Sequence, residues 1–185
     1  MKNVLDRAIK SVEVKDFTSL KPGNHNVRLA KFAVVDSFDK NTAGDIKENL
    51  PEWQDATDQL FVTFVGKDGA ISHRFNLQGY VKFSELTASE IKAKKVIDIK
   101  GYACIKNKDG NIVRIEDPAK TETALGIVDQ FTSALDIPER TPLGEALENA
   151  INEKTELNIY VKEEVYNNKV QFKVGSFRHA TASIM

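Results

Sequence analysis

Two alternating runs, 60–65 and 70–76, flank Asp68-Gly69, and this stretch constrains the fold more than any other. Asp-Gly between alternating apolar runs is a strong short-range signal for a β-hairpin. With Asp68 and Gly69 as the two turn residues, Lys67 lies opposite Ala70. One face then carries Leu60, Val62, Phe64, Ile71, His73 and Phe75. The other face is mixed, with Phe61, Thr63, Val65, Ser72, Arg74 and Asn76. A three-residue turn would shift the register by one and flip one strand; the segregation of apolar residues favours the two-residue turn and predicts one core face and one working face.

The composition indicates one ordinary globular domain without disulfides. The 185 residues are enough to bury a core. The formal net charge is −1, from 26 basic and 27 acidic residues, so binding of a polyanion depends on local patches. A single cysteine, Cys104, suits a reducing compartment. Residues 1–20 lack a signal-peptide core, and no run approaches the ~20 apolar residues of a membrane span. We therefore expect a cytoplasmic protein without membrane contact.

The first third of the chain predicts an arm, a bent strand and a long loop. Apolar residues in 2–20 have helical spacing, and Lys21-Pro22-Gly23 ends that segment, so 1–23 is interpreted as an N-terminal helical arm. The next strand, 27–35, changes the phase of its alternation between Leu29 and Phe32, as a β-bulge does. Residues 36–58 are polar and include Trp53, which indicates a long loop.

The remainder predicts two more hairpins separated by helices. A short helix is expected over 84–95, capped by Ser84, and a hairpin over 96–116. A helical pair follows over about 118–153, with Ala124, Ile127, Val128, Phe131 and Leu135 on one face of the first helix and Leu143, Leu147, Ala150 and Ile151 on one face of the second. Asn167-Asn168 suits a turn that needs positive φ, which places Tyr166 opposite Lys169 and Val165 opposite Val170. Residues 178–185 are expected to form a flexible tail.

These elements predict a mostly β domain with helices, of the α+β class. The order of bent strand, hairpin, helix and hairpin is that of an oligonucleotide-binding (OB) fold, a small five-stranded barrel. The domain would span 24–177, with an extra β-hairpin and the helical pair as an insertion. The sequence leaves open whether 96–116 or 157–174 supplies the last two barrel strands.

Catalytic and cofactor signatures are missing from the sequence. It has no phosphate-cradling Gly-rich loop, nucleophile elbow, His-Glu-x-x-His or Cys-x-x-Cys. His25, His73 and His179 lie far apart, and nothing around Cys104 indicates a nucleophile. We predict that the protein is not an enzyme and that it binds no metal and no cofactor. A small nuclease that binds metal through Asp36, Asp39 and Asp45 is a disfavoured alternative.

The mixed sheet face combines aromatic and basic residues. Rings stack on any base, and cations follow phosphates without reading sequence, which is what single-stranded nucleic acid binding needs. The alternative is a solvated sheet face stabilised by cross-strand pairs. Trp53 fits either a loop anchor or a stacking platform. The predicted stacking residues are Trp53, Phe61, Tyr102 and Tyr160; the predicted phosphate contacts are Lys31, Arg74, Lys100, Lys106 and Lys173.

Three segments resemble single-stranded DNA-binding proteins of tailed phages, of the crAss-like type. They are 51–64 (PEWQDATDQLFVTF), 74–80 (RFNLQGY) and 170–175 (VQFKVG). The resemblance covers roughly 24–177. It implies an OB fold and a role in coating DNA during phage replication or recombination, in the host cytoplasm. Many such proteins end in an acidic tail that recruits partners, whereas this chain has Arg178 and His179 and no carboxylate side chain after Gly175.

We therefore predict a sequence-tolerant single-stranded DNA-binding protein, with RNA left open as a ligand. Phage replication proteins and further copies of the chain are the other partners expected. The alternative function is a non-enzymatic phage structural or adaptor protein that binds other proteins.

Overall fold

A computed structural model describes residues 19–38 and 49–181. Its strands are β1 (Gly23–Val35), β2 (Gln59–Gly66), β3 (Gly69–Asn76), β4 (Ile97–Ile99), β5 (Tyr102–Lys106), β6 (Ile112–Arg114), β7 (Glu156–Tyr166) and β8 (Lys169–His179). Its α-helices are α1 (Ala88–Lys94), α2 (Pro118–Ala134) and α3 (Leu143–Asn152), with a short 3-10 helix at Phe83–Glu85. Most of the predicted arm, 1–23, lies outside the described residues, and so do Asp39 and Asp45. The chain is thus a mixed α+β protein dominated by strands.

The strands form two antiparallel sheets. The larger has the order β3-β2-β1-β7-β8, and the smaller has the order β4-β5-β6. Strand β1 is central because its second half pairs with β2 and its first half with β7. The predicted bulge in β1 is confirmed, since the pairing with β2 shifts between Leu29 and Lys31.

The first hairpin keeps its predicted faces but not its predicted register. Gly66 pairs with Gly69, so Lys67 and Asp68 form the turn, and Leu60 lies opposite Phe75. Gly69 is the first residue of β3 and has a φ of +151°, which L side chains rarely adopt, so glycine suits this position directly after the turn. The pairing is displaced by two residues, and a displacement by an even number leaves every side chain on its face.

The last hairpin follows its predicted register. Asn167 and Asn168 have φ values of 50° and 59°, Tyr166 pairs with Lys169, and Val165 pairs with Val170. Two adjacent residues with positive φ match the right-handed twist of the flanking strands. The strand runs further than predicted, because Arg178 and His179 extend β8 beside β7.

The helical pair covers one face of the larger sheet. Asp117 caps α2 by accepting hydrogen bonds from the backbone N–H groups of Ala119 and Lys120. Phe131 of α2 is fully buried and stacks on Phe75 with 4.9 Å between ring centroids. The predicted faces are largely correct: Val128, Phe131, Leu135, Leu147 and Ala150 are buried, whereas Ile127 is 47% exposed. The N-cap of α1 is Thr87, not Ser84, because Thr87 accepts from the N–H of Glu90.

The small sheet has a core of its own. Phe38, Trp53, Cys104 and Ile112 form that second cluster, and Tyr102 packs against it. The backbone N–H of Gln54 donates to the carbonyl of Ile112 at 3.0 Å, which anchors the loop between β1 and β2 on β6. Burial raises the pKa of the Cys104 thiol to about 11, so the thiol stays protonated at neutral pH.

The predicted closed barrel is not confirmed. The larger sheet takes its last two strands from the C-terminal hairpin, whereas 96–116 forms the smaller sheet. Its edge strands β3 and β8 are not hydrogen-bonded to each other in the part of the chain that the structure describes. They approach through side chains instead: the Phe177 ring lies 5.6 Å from His73 and 5.2 Å from Phe75, between centroids.

Candidate nucleic-acid interface

The larger sheet has an inner face, packed on the helices, and an outer face that points away from them. Strand alternation assigns the outer face from the observed registers. Its carboxylates are Glu156 and Glu164. Its cations outnumber them and are Arg28, Lys31, Arg74, Lys162, Lys169, Lys173 and Arg178. This face is therefore basic although the whole chain has a net charge of −1.

Opposite charge is concentrated in the helical layer. Residues 117–154, which include α2 and α3, carry eight carboxylate side chains and three cations. An anionic ligand is therefore repelled by the helical layer and attracted by the outer face of the sheet.

One end of the outer face combines a ring with a guanidinium. Phe61 of β2 is half-buried and lies opposite Arg74 of β3, whose guanidinium carbon is 5.5 Å from the ring centroid. Arg74 is exposed, and Lys31 lies on the same face, opposite Thr63. Arg74 therefore lies over the Phe61 ring and is also exposed to solvent.

The other end carries an exposed tyrosine. Tyr160 of β7 is 43% exposed and lies opposite Ser176 of β8. A Cβ on Gly175 would lie 3.5 Å from the Tyr160 ring and 3.4 Å from the Lys162 side chain, in ordinary contact with both. Tyr160 and Lys162 therefore lie over the bare backbone of Gly175. Lys173 is also on this face, 3.6 Å from the Glu164 carboxylate.

Because β3 approaches β8, the end of the outer face that carries Phe61 and Arg74 lies beside the end that carries Tyr160. Phe177 contacts both His73 and Phe75 from the inner side. The outward neighbours of these residues are Arg74 on β3 and Ser176 on β8. The row Phe61, Arg74, Ser176 and Tyr160 therefore runs across β2, β3, β8 and β7 on the outside of the sheet.

Four of the predicted site residues do not lie on this face. Trp53 is buried, stacks on Phe38 at 5.4 Å between centroids, and donates from Nε1 to Asp36 at 3.2 Å, so it is a loop anchor and not a stacking platform. Tyr102 packs edge-on against Phe38 at 5.2 Å. Lys100 lies in the turn before β5, and Lys106 ends β5. The expected convergence of Tyr102 with Phe61 and Tyr160 is wrong, because alternation fixes a residue's side of its strand but not the sheet to which the strand belongs.

Five predicted residues do lie on the outer face, namely Lys31, Phe61, Arg74, Tyr160 and Lys173. The site prediction omitted Arg28, Lys162, Lys169 and Arg178. Lys162 and Lys169 could have been assigned from the hairpin register, since Lys162 pairs with Lys173, and Lys169 lies two pairs from Gln171 on the same side.

A buried ionic cluster joins the two sheets, and the sequence did not reveal it. Arg114 of β6 contacts Asp36 at 3.1 Å and Asp58 at 3.3 Å, and all three side chains are almost fully buried. The guanidinium carbon lies 4.2 Å from the Phe38 ring centroid and 4.1 Å from that of Tyr80. Burial raises the pKa of Tyr80 above its ordinary value, so its hydroxyl stays protonated. The sequence feature that could have indicated the cluster is the position of Arg114, which strand alternation places on the same side of β6 as the apolar Ile112.

The contacts of this cluster occupy Asp36, which was one of the three metal ligands in the disfavoured nuclease alternative. Its two oxygens accept from Arg114, Trp53 and the backbone N–H groups of Phe38 and Ala56. Among residues 19–38 and 49–181, no group of three or more His, Cys, Asp or Glu side chains could hold a metal ion. Within the same ranges, no helix is long and apolar enough to cross a membrane.

His73 borders the seam between β3 and β8 and makes folding depend on pH. Burial, with a smaller contribution from the charge of Lys173, lowers its pKa from 6.5 to about 4. Between these values the unfolded chain binds a proton that the folded chain does not, so stability falls as pH decreases from 6.5 to 4. Relative to His73→Phe, the wild type should lose about 2–3 kcal/mol of unfolding free energy over this range. Urea titrations at several pH values measure it. If the wild type and His73→Phe give parallel curves of unfolding free energy against pH, His73 does not titrate as described.

No protein-family model matches this chain, and no curated protein matches its sequence significantly. The fold and the arrangement of the outer face therefore carry the functional argument.

Proposed function

We propose that this protein binds single-stranded DNA on the outer face of its larger sheet, without strong sequence preference. The observation that carries the proposal is the row of rings and cations that includes Phe61, Arg74 and Tyr160. Flat rings stack on any base, and lysine and arginine follow the phosphates. RNA offers the same bases and phosphates for these contacts, so the titration below is repeated with oligo-U to compare the affinities for DNA and RNA.

The strand connections support the proposal. Strand β1 pairs with β2 and β7, and β3 and β8 are the strands whose pairing would close a barrel. An OB fold has this order, and it binds oligonucleotides on the face of its second and third strands. Phe61 and Arg74 lie on the corresponding strands, β2 and β3. The OB relationship and the role in phage replication or recombination are implied by the sequence resemblance and stay part of the proposal.

Anisotropy of a labelled oligo-dT, titrated at several salt concentrations, separates the two kinds of contact. Tyr160→Ala should weaken binding by about 5- to 150-fold, the equivalent of one lost stacking contact, with an unchanged salt dependence. Arg74→Ala should weaken binding and also reduce the slope of log affinity against log salt by about 0.7, because one phosphate contact is lost.

Lys106→Ala is the matched control, since Lys106 is an exposed cation on the other sheet. It should leave both affinity and slope unchanged. Undetectable binding at low salt contradicts the proposal and favours the alternative of a protein-binding adaptor. A loss in Lys106→Ala equal to that in Arg74→Ala would show that the outer face is not the site.

A further inference from the structure

The β7–β8 hairpin extends beyond the rest of the larger sheet. Pairing of β1 with β7 ends at Gly23 opposite Val161, and residues 162–173, which form this hairpin arm, are all exposed. A β-bulge lies at the base of the hairpin arm, because the pairing of β7 with β8 shifts between Tyr160 and Val161 and leaves Gly175 without a partner. A bulge bends its strand and increases the twist, so it turns the hairpin arm relative to the sheet.

One face of the hairpin arm continues the basic outer face of the sheet. It carries three cations and one carboxylate, in the cross-strand pairs Lys162 with Lys173, Glu164 with Gln171, and Tyr166 with Lys169. The opposite face carries no cation, and its pairs are Glu163 with Phe172 and Val165 with Val170. A phosphate backbone is bound by cations, so charge favours the outer face of the hairpin arm for nucleic acid, although the opposite face also carries a ring.

One pair on the outer face of the hairpin arm is unfavourable for folding. Lys162 and Lys173 lie directly opposite each other, and like charges in that position repel. The Glu164 carboxylate lies 3.6 Å from Lys173 Nζ and compensates that charge. Lys162 has no ion-pair partner in the part of the chain that the structure describes, and its stem lies with the Tyr160 ring over Gly175. A phosphate over Lys162, next to a base stacked on Tyr160, removes the repulsion.

A second ring lies at the tip of the same face. Tyr166 is 63% exposed and pairs with Lys169. It lies six residues beyond Tyr160 along β7, a distance of about 20 Å at the rise of an extended strand. The tip of the hairpin arm therefore repeats the combination of exposed ring and cation that Tyr160 and Lys162 form at its base.

We propose that single-stranded nucleic acid turns at Tyr160 and continues along the outer face of the hairpin arm to Tyr166. The hairpin arm then binds further nucleotides of the same strand through Lys162 and the ring at the tip. This inference rests on the proposed function and adds a second segment to the path of the ligand. The row from Phe61 to Tyr160 runs across the strands of the sheet, whereas the new segment runs along β7 and β8.

Anisotropy of a labelled oligo-dT of about 16 nucleotides, the upper end of the usual site size, tests the hairpin arm. Tyr166→Leu should weaken binding by about 5- to 150-fold, the equivalent of one stacking contact. Phe172→Leu is the matched control, because it also replaces a ring by leucine but on the opposite face, and it should bind like the wild type.

Lys162→Gln separates binding from folding. It should weaken binding and reduce the slope of log affinity against log salt by about 0.7, because one phosphate contact is lost. Its urea midpoint should stay at or above that of the wild type, because the repulsion from Lys173 is removed. A cation that served only the fold would show the opposite pattern.

Fluorescence gives a second readout that does not depend on a change in affinity. Trp53 is buried, so Tyr166→Trp adds an exposed indole on the outer face of the hairpin arm, and Phe172→Trp adds one on the opposite face. Oligo-dT should quench the added fluorescence of Tyr166→Trp, because a base stacks on the indole, and should leave that of Phe172→Trp unchanged.

The outcomes distinguish this inference from the proposed function. If the wild type does not bind oligo-dT, the proposed function fails and the inference fails with it. If Arg74→Ala weakens binding but Tyr166→Leu and Lys162→Gln bind like the wild type, the sheet is the site and the hairpin arm is not. Equal losses in Tyr166→Leu and Phe172→Leu, or equal quenching of the two added indoles, also overturn the inference, because the strand would then not follow the outer face.

Discussion

Arg114→Ala should lower the free energy of unfolding by about 3–5 kcal/mol, the cost of leaving buried charges without their partner. Asp36 and Asp58 would keep their other hydrogen bonds but lose the only cation that they contact among the ion pairs of the described chain. The substitution also removes the planar group between the Phe38 and Tyr80 rings. Urea denaturation monitored by Trp53 fluorescence measures the loss at the affected cluster.

Arg114→Lys distinguishes charge from shape. Lysine restores one positive charge but cannot contact Asp36, Asp58 and the Ser37 hydroxyl through a rigid fork, as the arginine does. We expect the free energy of unfolding of Arg114→Lys to lie between those of the wild type and Arg114→Ala. Lys106→Ala, on the exposed end of β5 in the same sheet, should change stability by less than about 0.5 kcal/mol. A loss below about 1 kcal/mol in Arg114→Ala would mean that the buried cluster contributes no net stability.

The position of this cluster separates stability from binding. Asp36 follows β1 and Asp58 precedes β2, so the ion pairs with Arg114 hold both ends of the long loop against the small sheet. Two of the four predicted stacking rings lie here: Trp53 belongs to the hydrophobic core of the small sheet, and Tyr102 packs against that core. The small sheet therefore supports the loop, and the proposed interface lies on the larger sheet.

Local chemistry allowed much of the larger sheet to be predicted. The turn at Asn167-Asn168 fixed the register of β7 and β8, because both residues adopt positive φ. The phase change in β1 located its bulge, and apolar alternation gave the correct faces of β2 and β3 even where the register was displaced. Each of these features depends on residues close together in the chain.

Contacts between distant residues could not be predicted in the same way. Arg114 and Asp36 are 78 positions apart, and no periodicity links them. The pairing of the small sheet with the loop at Trp53, and the approach of β3 to β8 without a shared ladder, depend on packing between elements. For this reason the site prediction placed Tyr102, Lys100 and Lys106 beside residues of another sheet.

Gly79→Ala should destabilise the protein by about 3 kcal/mol or more, at the upper end of what overpacking costs. A Cβ at this position would lie 2.2 Å from the Lys120 Cβ and 2.7 Å from its carbonyl carbon. Hydrogen bonds hold the two segments together: the Gly79 N–H donates to the Thr121 hydroxyl at 2.9 Å, and the Gly79 carbonyl accepts from the Asp117 N–H at 2.9 Å. The clash involves the first turn of α2, so relief requires the helix start to move and both bonds to weaken.

Gly126→Ala is the matched control, because it makes the same chemical change within α2, where a Cβ would have no heavy atom within 4 Å beyond its chain neighbours and the backbone of its own helix. It should stabilise the protein by about 0.5–1 kcal/mol, since alanine favours a helix over glycine. The two variants should therefore shift the urea midpoint in opposite directions. If Gly79→Ala leaves the midpoint unchanged, residues 78–80 do not pack on α2. At urea concentrations where both variants are folded, oligo-dT affinity should equal that of the wild type, because neither glycine lies on the outer face.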